Sequence, residues 1–396
     1  MEWKSAAIND QGLIRVPKRW LHIHYYEAMN ILFRFENSLR VFVYAVLKNE
    51  FLNEWRECNF SFLGGEANSI NSIARKRISQ AESFGYLGFD IKAPLMHLTS
   101  GELVELITSG AYWTKFQGYF RGNKEIMKNK LLEIGNIRNS LAHFRPIKPE
   151  DIELVKQNSR HTLIGVEECL QNIFSQNTRV PTNTMDDWYK SISVLGNDQI
   201  TLVPYFSKDE SWINIRLRFV VPILKKDFFT ETYYSFSVAT INSSNILKTH
   251  AVLSKYLTYL TETVMGPTLD EEKNIKANKD LNFVFRKDIL VANHTAIAEE
   301  FKSVLLKVSE ECDLLCKDNL ARGSIIETAS LSSWWSQPEG QDGKWMYSYA
   351  DLSEEYKSDD PDEYWGKRQY ISDVVSGCKR YPWMPEDISQ IEDFWD

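Results

Sequence analysis

The stretch GNIRNSLAHFRP, residues 135–146, decides how the chain reads. It closes an apolar period in which Met127, Leu131, Ile134, Ile137 and Leu141 recur at three- and four-residue steps, the stripe of an amphipathic helix over 124–144. Pro146 disfavours helical backbone at Arg145, so the helix is expected to stop near Phe144. Arg138 and His143 lie on this last stretch, five positions apart. At 100° per residue they stand about 140° apart on the helical wheel, so they converge only if the helix distorts or ends near Ala142. An end there would put His143 at the negative pole of the helix dipole, which favours its protonated form.

Outward from this helix the same period continues. Pro149-Glu150-Asp151 opens the next helix, with Pro in the first turn and acids at the positive dipole end. Its seam is Ile152, Val155, Ser159, Thr162, Val166, Cys169 and Ile173. Upstream, Ala28, Leu32, Phe35, Leu39, Phe42 and Val46 mark a long helix over 24–57, with Arg34, Asn37, Lys48 and Glu50 mostly off the stripe. A more polar helix is expected over 66–83 and a loop over 85–101. Ser100 can cap a helix that starts at Gly101 and buries Leu103, Leu106 and Ile107. Amphipathic helices joined by short connections make a helical bundle.

The polar, Pro-containing segment 175–184 is the best domain boundary. Beyond it the period drops to two: Ile213, Ile215, Leu217 and Phe219 alternate with polar residues, as do Tyr234, Phe236 and Val238. Short strands are expected at Ile192–Val194 and Ile200–Val203, and helices at 250–265 and 294–318, the latter with Ile297, Phe301, Val304, Val308 and Leu315 inward. The fold class expected is α+β multidomain. Residues 1–176 form an all-α bundle, 185–320 an α+β sensing or regulatory domain with mostly antiparallel strands, and 321–396 an acidic, Trp-rich region packed on the second domain.

Hydrophobic residues make up 43% of the 396, and aromatics 13%, enough for sizeable cores without metal or disulfide support. The longest apolar runs, such as VFVYAVL at 41–47, are too short to span a bilayer, so no membrane partner is expected. The first twelve residues carry no apolar core or cleavage pattern, so a cytoplasmic location is expected. Cys58, Cys169, Cys312, Cys316 and Cys378 are odd in number and sparse, and read as reduced thiols. The net charge of −8 is unevenly spread. Residues 1–180 hold 23 Lys and Arg against 19 Asp and Glu, and the remainder 23 against 35. A mildly basic half beside an acidic one is compatible with one nucleic-acid-facing and one partner-facing module, and equally with a solvated surface of uneven charge.

The form Arg138-Asn139-x-x-Ala142-His143 at the end of a bundle helix resembles the Arg-x4–6-His motif of the HEPN superfamily of metal-independent ribonucleases. The resemblance covers roughly residues 20–175. It implies Arg138, His143 and Asn139 as catalytic residues, RNA as substrate, no cofactor and no metal. It also implies a homodimer whose two Arg-His pairs build one cleft, and products ending in a 2′,3′-cyclic phosphate or its hydrolysed form. The chemistry suits the residue types. His transfers protons near neutral pH, and Arg presents a permanently charged fork to phosphate. A toxin branch of the family carries Tyr two positions after the His; Arg145 stands there in this chain. The layout resembles abortive-infection effectors, in which a second domain senses a trigger ligand or a regulatory protein. The alternative is a non-catalytic interaction protein that uses the bundle as a dimerising scaffold.

Other candidates are weighed against this motif. Arg15 to His22 and Arg19 to His24 repeat the spacing, but they precede the first bundle helix and surround Pro17. His22 and His24 could ligate a metal, but no third ligand is evident. Glu36, Asn37 and Arg40 could line the cleft, and His97 reads as structural. The Trp-rich end could stack bases, but its acidic setting argues for core packing or a protein partner. Phosphate-binding and nucleophile-elbow motifs are absent from the sequence.

Overall fold

A computed structural model describes residues 7–8, 14–15, 23–62, 64–85, 91–143, 145, 147–175, 179–182, 184–319, 322–337, 342–349, 352, 356–367 and 381–384, with the side chains of 7–8, 14–15 and 23–26 outside that description. The candidates Arg19 and His22, and the side chains of Arg15 and His24, therefore fall outside it, as does Cys378. A short antiparallel pair, β1 (Ala7–Ile8) and β2 (Ile14–Arg15), precedes the first long helix, α1 (Ile23–Phe51), which runs into a 3-10 turn at Leu52–Glu57. The hairpin β3 (Asn59–Ser61) and β4 (Ala67–Ser69) leads to α2 (Ile70–Phe84), and the 3-10 turn Pro94–His97 leads to α3 (Ser100–Thr108). Thr99, not Ser100, caps α3. Its hydroxyl accepts from Glu102 N–H at 3.3 Å and its own N–H donates to Glu102 Oε2 at 2.8 Å, a reciprocal capping box. The one-turn α4 (Trp113–Phe116) precedes the hairpin of α5 (Lys124–Ala142) and α6 (Pro149–Phe174).

Of the seams read from periodicity, Met127, Leu131, Ile134 and Leu141 on α5 are buried and Ile137 is half-buried, and all seven seam residues on α6 are buried. Gly165 is required by a close approach. A Cβ there would overlap the Tyr119 carbonyl, over which α6 passes.

α1 departs from the bundle pattern. From Ile31 to Asn49 every residue but Phe33 is buried, including Arg34, Asn37 and Lys48, which the stripe places on the solvent side. A helix apolar or paired on all sides is a central one. Its second side is covered by chain from far along the sequence. Tyr44 Oη donates to Thr258 O at 2.8 Å, and Lys48 Nζ donates to Ser254 O at 2.8 Å and Glu363 Oε1 at 2.6 Å. One hydrophobic core therefore runs from Ala28 through Phe283 to Trp383.

The second half opens with α7 (Asp187–Ser193), so the strand expected at Ile192–Val194 is instead the end of a helix. β5 (Ile200–Phe206), β6 (Trp212–Val220), β7 (Ile223–Phe229) and β8 (Tyr233–Ile241) follow as antiparallel neighbours or hairpins. The helix expected over 250–265 is two short helices, α8 (Ser243–Thr249) and α9 (Ala251–Tyr256), followed by a strand, β9 (Tyr259–Leu269). Its β-branched Thr261, Thr263 and Val264 suit a pleated surface better than a helix. β10 (Ile275–Arg286) precedes the long helix α10 (Lys287–Cys316), whose five inward residues are all buried. β11 (Ile326–Ser336), β12 (Lys344–Ser348) and β13 (Tyr364–Gly366) complete two sheets. One has the order β13-β9-β10-β6-β5, antiparallel except where β13 pairs parallel to β9; the other has the order β12-β11-β8-β7. The fold is thus mixed helix and antiparallel sheet, with a helical N-terminal region. Among the described residues no helix is long and apolar enough to cross a membrane.

Candidate active site

α5 ends in two steps that set the position of His143. The His143 N–H still donates to Asn139 O at 3.2 Å, but His143 is the C-cap, with φ −98° and ψ 15°, so the regular helix stops at Ala142. The Arg145 N–H then donates to Ser140 O at 2.9 Å, a six-to-one bond that satisfies one carbonyl of the last turn. The helix thus ends at Ala142, where the wheel argument asks for an end, and His143 leaves the regular helical path there. Among the described residues no hydrogen bond or ion pair joins the Arg138 and His143 side chains. His143 and Asn139 are exposed and their side chains make no hydrogen bond among the described residues. Arg145, just past the negative pole of α5, and Lys148, the N-cap of α6, are both exposed in the α5–α6 turn.

Arg138 is held from below. Its Nε pairs with Glu36 Oε2 at 3.4 Å, while its side chain keeps 37% of its exposure. Among the described residues this is its one ion pair, and both Nη groups, the fork that matches a phosphate edge, lack a partner there. Glu36 is buried and is gripped at its other oxygen by Arg40 Nη2. Arg40 is itself fully dressed. Its Nε donates to Leu95 O and its Nη2 to Leu98 O, each at 3.0 Å, and its Nη1 donates to Asn37 Oδ1 at 2.9 Å. Burial pulls Arg40 below its ordinary pKa, Glu36 draws it back up, and Arg138 adds a smaller push downward.

The three cleft candidates from α1 therefore divide. Glu36 touches Arg138, whereas Asn37 and Arg40 lie behind it as its anchor. The anchor continues into the 94–98 turn. Arg77 donates to His97 O and holds Glu102 through two bonds of 2.7 and 2.8 Å. His97 Nε2 donates to Ile91 O at 2.7 Å, and burial lowers its pKa, which fits a structural role. The carbonyls of Leu95 and Leu98 left no mark in the sequence. The Glu36-x3-Arg40 pair did: two opposite charges one turn apart on one helix.

Elsewhere, Cys58, Cys169, Cys312 and Cys316 are free thiols. Burial pushes Cys169 and Cys312 up to about 12, so neither is a thiolate at neutral pH. Among the described residues no three His, Cys, Asp or Glu side chains gather as metal ligands. Comparison with protein-family models, curated proteins and solved structures returned no match.

Proposed function

We propose that the chain is an endoribonuclease of the HEPN type, in which Arg138 holds the scissile phosphate and His143 moves the proton of the attacking 2′-hydroxyl. The observation that carries this reading is the state of Arg138. Its Nε pairs with the buried Glu36 carboxylate at 3.4 Å while its Nη groups have no partner among the described residues, on the same helix end as an exposed His. A guanidinium placed this way is preorganised for an anion and needs little rearrangement to bind it. Asn139 is a further polar group on that end.

The end of α5 bears on stoichiometry. Within one chain no hydrogen bond or ion pair joins Arg138 to His143 among the described residues, so a facing second copy is a direct way to put an Arg and a His on one phosphate. We therefore propose a homodimer with a composite site, RNA as substrate, and the acidic half as the place where a regulatory protein or trigger ligand acts. A toxin or anti-phage role follows from the same reading.

The test is cleavage of RNA by purified protein in EDTA, with product ends sequenced. Wild type should leave 2′,3′-cyclic phosphate ends. Arg138→Ala and His143→Ala should each be inactive, and mixing the two variants should restore one intact composite site per heterodimer. Full activity in either variant would sink the proposal. Absence of cleavage by wild type under every condition favours the non-catalytic scaffold, in which the Glu36–Arg138 pair only joins α1 to α5.

A further inference from the structure

The anchor behind Arg138 does not end within the N-terminal helices. Tyr381 and Met384, both buried, pack against Ile91 and Met96. Met96 lies inside the turn whose Leu95 and Leu98 carbonyls grip Arg40. The Tyr381 ring also meets Phe33 edge to face, with centroids 4.9 Å apart. Phe33 is the one solvent-reaching residue in the central stretch of α1, and its carbonyl accepts from Asn37 Nδ2 at 2.9 Å. Two routes of direct contact thus lead from Tyr381 to Arg40: through Phe33 and Asn37, and through the 94–98 turn. From Arg40 one step reaches Glu36 and the next reaches Arg138.

The segment is itself fastened to α1 further along. Trp383 sits 5.1 Å from Tyr44 and 5.9 Å from Trp365, ring to ring, and its Nε1 donates to Asp362 O at 2.8 Å. It does so with a φ of +60°, a left-handed conformation that a bulky side chain adopts only where its surroundings hold it. Asp362 and Glu363 are tied to Arg56 and Lys48 at 2.7 and 2.6 Å. From Phe33 to Lys48 these contacts span about 22 Å of helix axis.

We infer that the C-terminal segment Tyr381–Met384 is a positioning element for Arg138, acting through Phe33 and the 94–98 turn on the Arg40–Glu36 pair. The bearing on catalysis rests on the ribonuclease reading; the placement of Arg138 does not. Tyr381 and Met384 touch no reacting atom in this scheme. They fix the anchor, and whatever lifts the segment loosens the phosphate fork.

The experiment uses the full chain and two readouts. The first is the rate at which phenylglyoxal modifies Arg138, followed by peptide mass spectrometry, with exposed Arg121 as internal reference. Tyr381→Ala and Met384→Ala should speed Arg138 modification about threefold, the size set by an ion pair of modest strength, and Tyr381→Phe should restore the wild-type rate because it keeps the ring edge. The second is steady-state RNA cleavage, where kcat should fall about tenfold with KM little changed, as expected when orientation is lost. Phe301→Leu, which loosens the sheet core away from α1, serves as a control of matched instability. Unchanged Arg138 modification in Tyr381→Ala overturns the inference even if wild type cleaves RNA. Equal acceleration in Phe301→Leu overturns it too, because the effect is then general loosening. Faster modification in a protein that never cleaves RNA upholds the inference and overturns the ribonuclease reading.

Discussion

The end of α5 and the seat of Lys48 on α1 treat positive charge in opposite ways. At α5, Arg138, His143 and Arg145 stand at the surface, and Arg138 has one long ion pair. At Lys48 the ammonium is 1% exposed and spends its three donors on Asn53, Ser254 and Glu363. A buried charge must be fully paired or its desolvation goes uncompensated, so it has nothing left for a ligand. A partly paired, partly exposed one keeps donors in reserve. The contrast teaches which cations are architecture and which are available for chemistry.

The comparison can be broken in order of expected effect. The largest lies at α5: His143→Ala should lower RNA cleavage by about 10³-fold, the range for loss of a general acid–base, with the unfolding midpoint in urea unchanged. A drop in stability of the same variant would move His143 to the architectural class. Next is Lys48→Met. It strands Glu363 in the core and should cost about 3–5 kcal/mol in urea unfolding, since breaking one side of a buried pair exposes the full desolvation penalty. A loss below about 1 kcal/mol, the surface-pair range, would show that Glu363 reaches water. Gly165→Ala should cost about 1–3 kcal/mol through the overlap with Tyr119 O; a neutral result would show that α6 can shift off that carbonyl.

The fourth is a pH effect. Burial pushes Asp362 up to about 7 even though Arg56 is close by. An acid whose folded pKa exceeds its unfolded value, about 3.9, binds more protons when folded. Its contribution is therefore complete below about pH 4 and is lost as the pH rises through 7. Wild type should lose part of its stability between those limits, and Asp362→Asn should flatten that slope; parallel profiles would contradict it. The smallest effect belongs to Arg121 and Glu168, exposed and 3.7 Å apart, where Arg121→Ala should change stability by no more than about 0.5 kcal/mol.

Legibility followed the length of each periodic signal. α5, α6 and α10 were readable because their apolar seams repeat over many turns. The short runs were not. Ile192–Val194 is three apolar or small residues, compatible with either period, and it closes α7. Residues 259–265 were read as helix and form the larger part of β9, whose partners on β10 lie up to 25 residues further along the sequence, from Tyr259 to Val284. Strands β11 and β12 in the Trp-rich region showed no clear alternation, because some aromatics face the core and others, such as Trp334 and Trp335, stay exposed.

The sequence alone determined that Arg138 lies on a helix with His143 at its end, that this helix must end before Pro146, and that Asn139 stands beside the Arg. These are matters of nearest neighbours and local backbone sterics. Only the tertiary structure decided that Glu36 reaches Arg138, that two carbonyls of the 94–98 turn hold Arg40, and that residues 381–384 brace that turn. Each of those is a contact between segments distant in sequence. Such contacts are selected by how a buried charge finds its partners once α1 is enclosed on every side, and no local pattern records that.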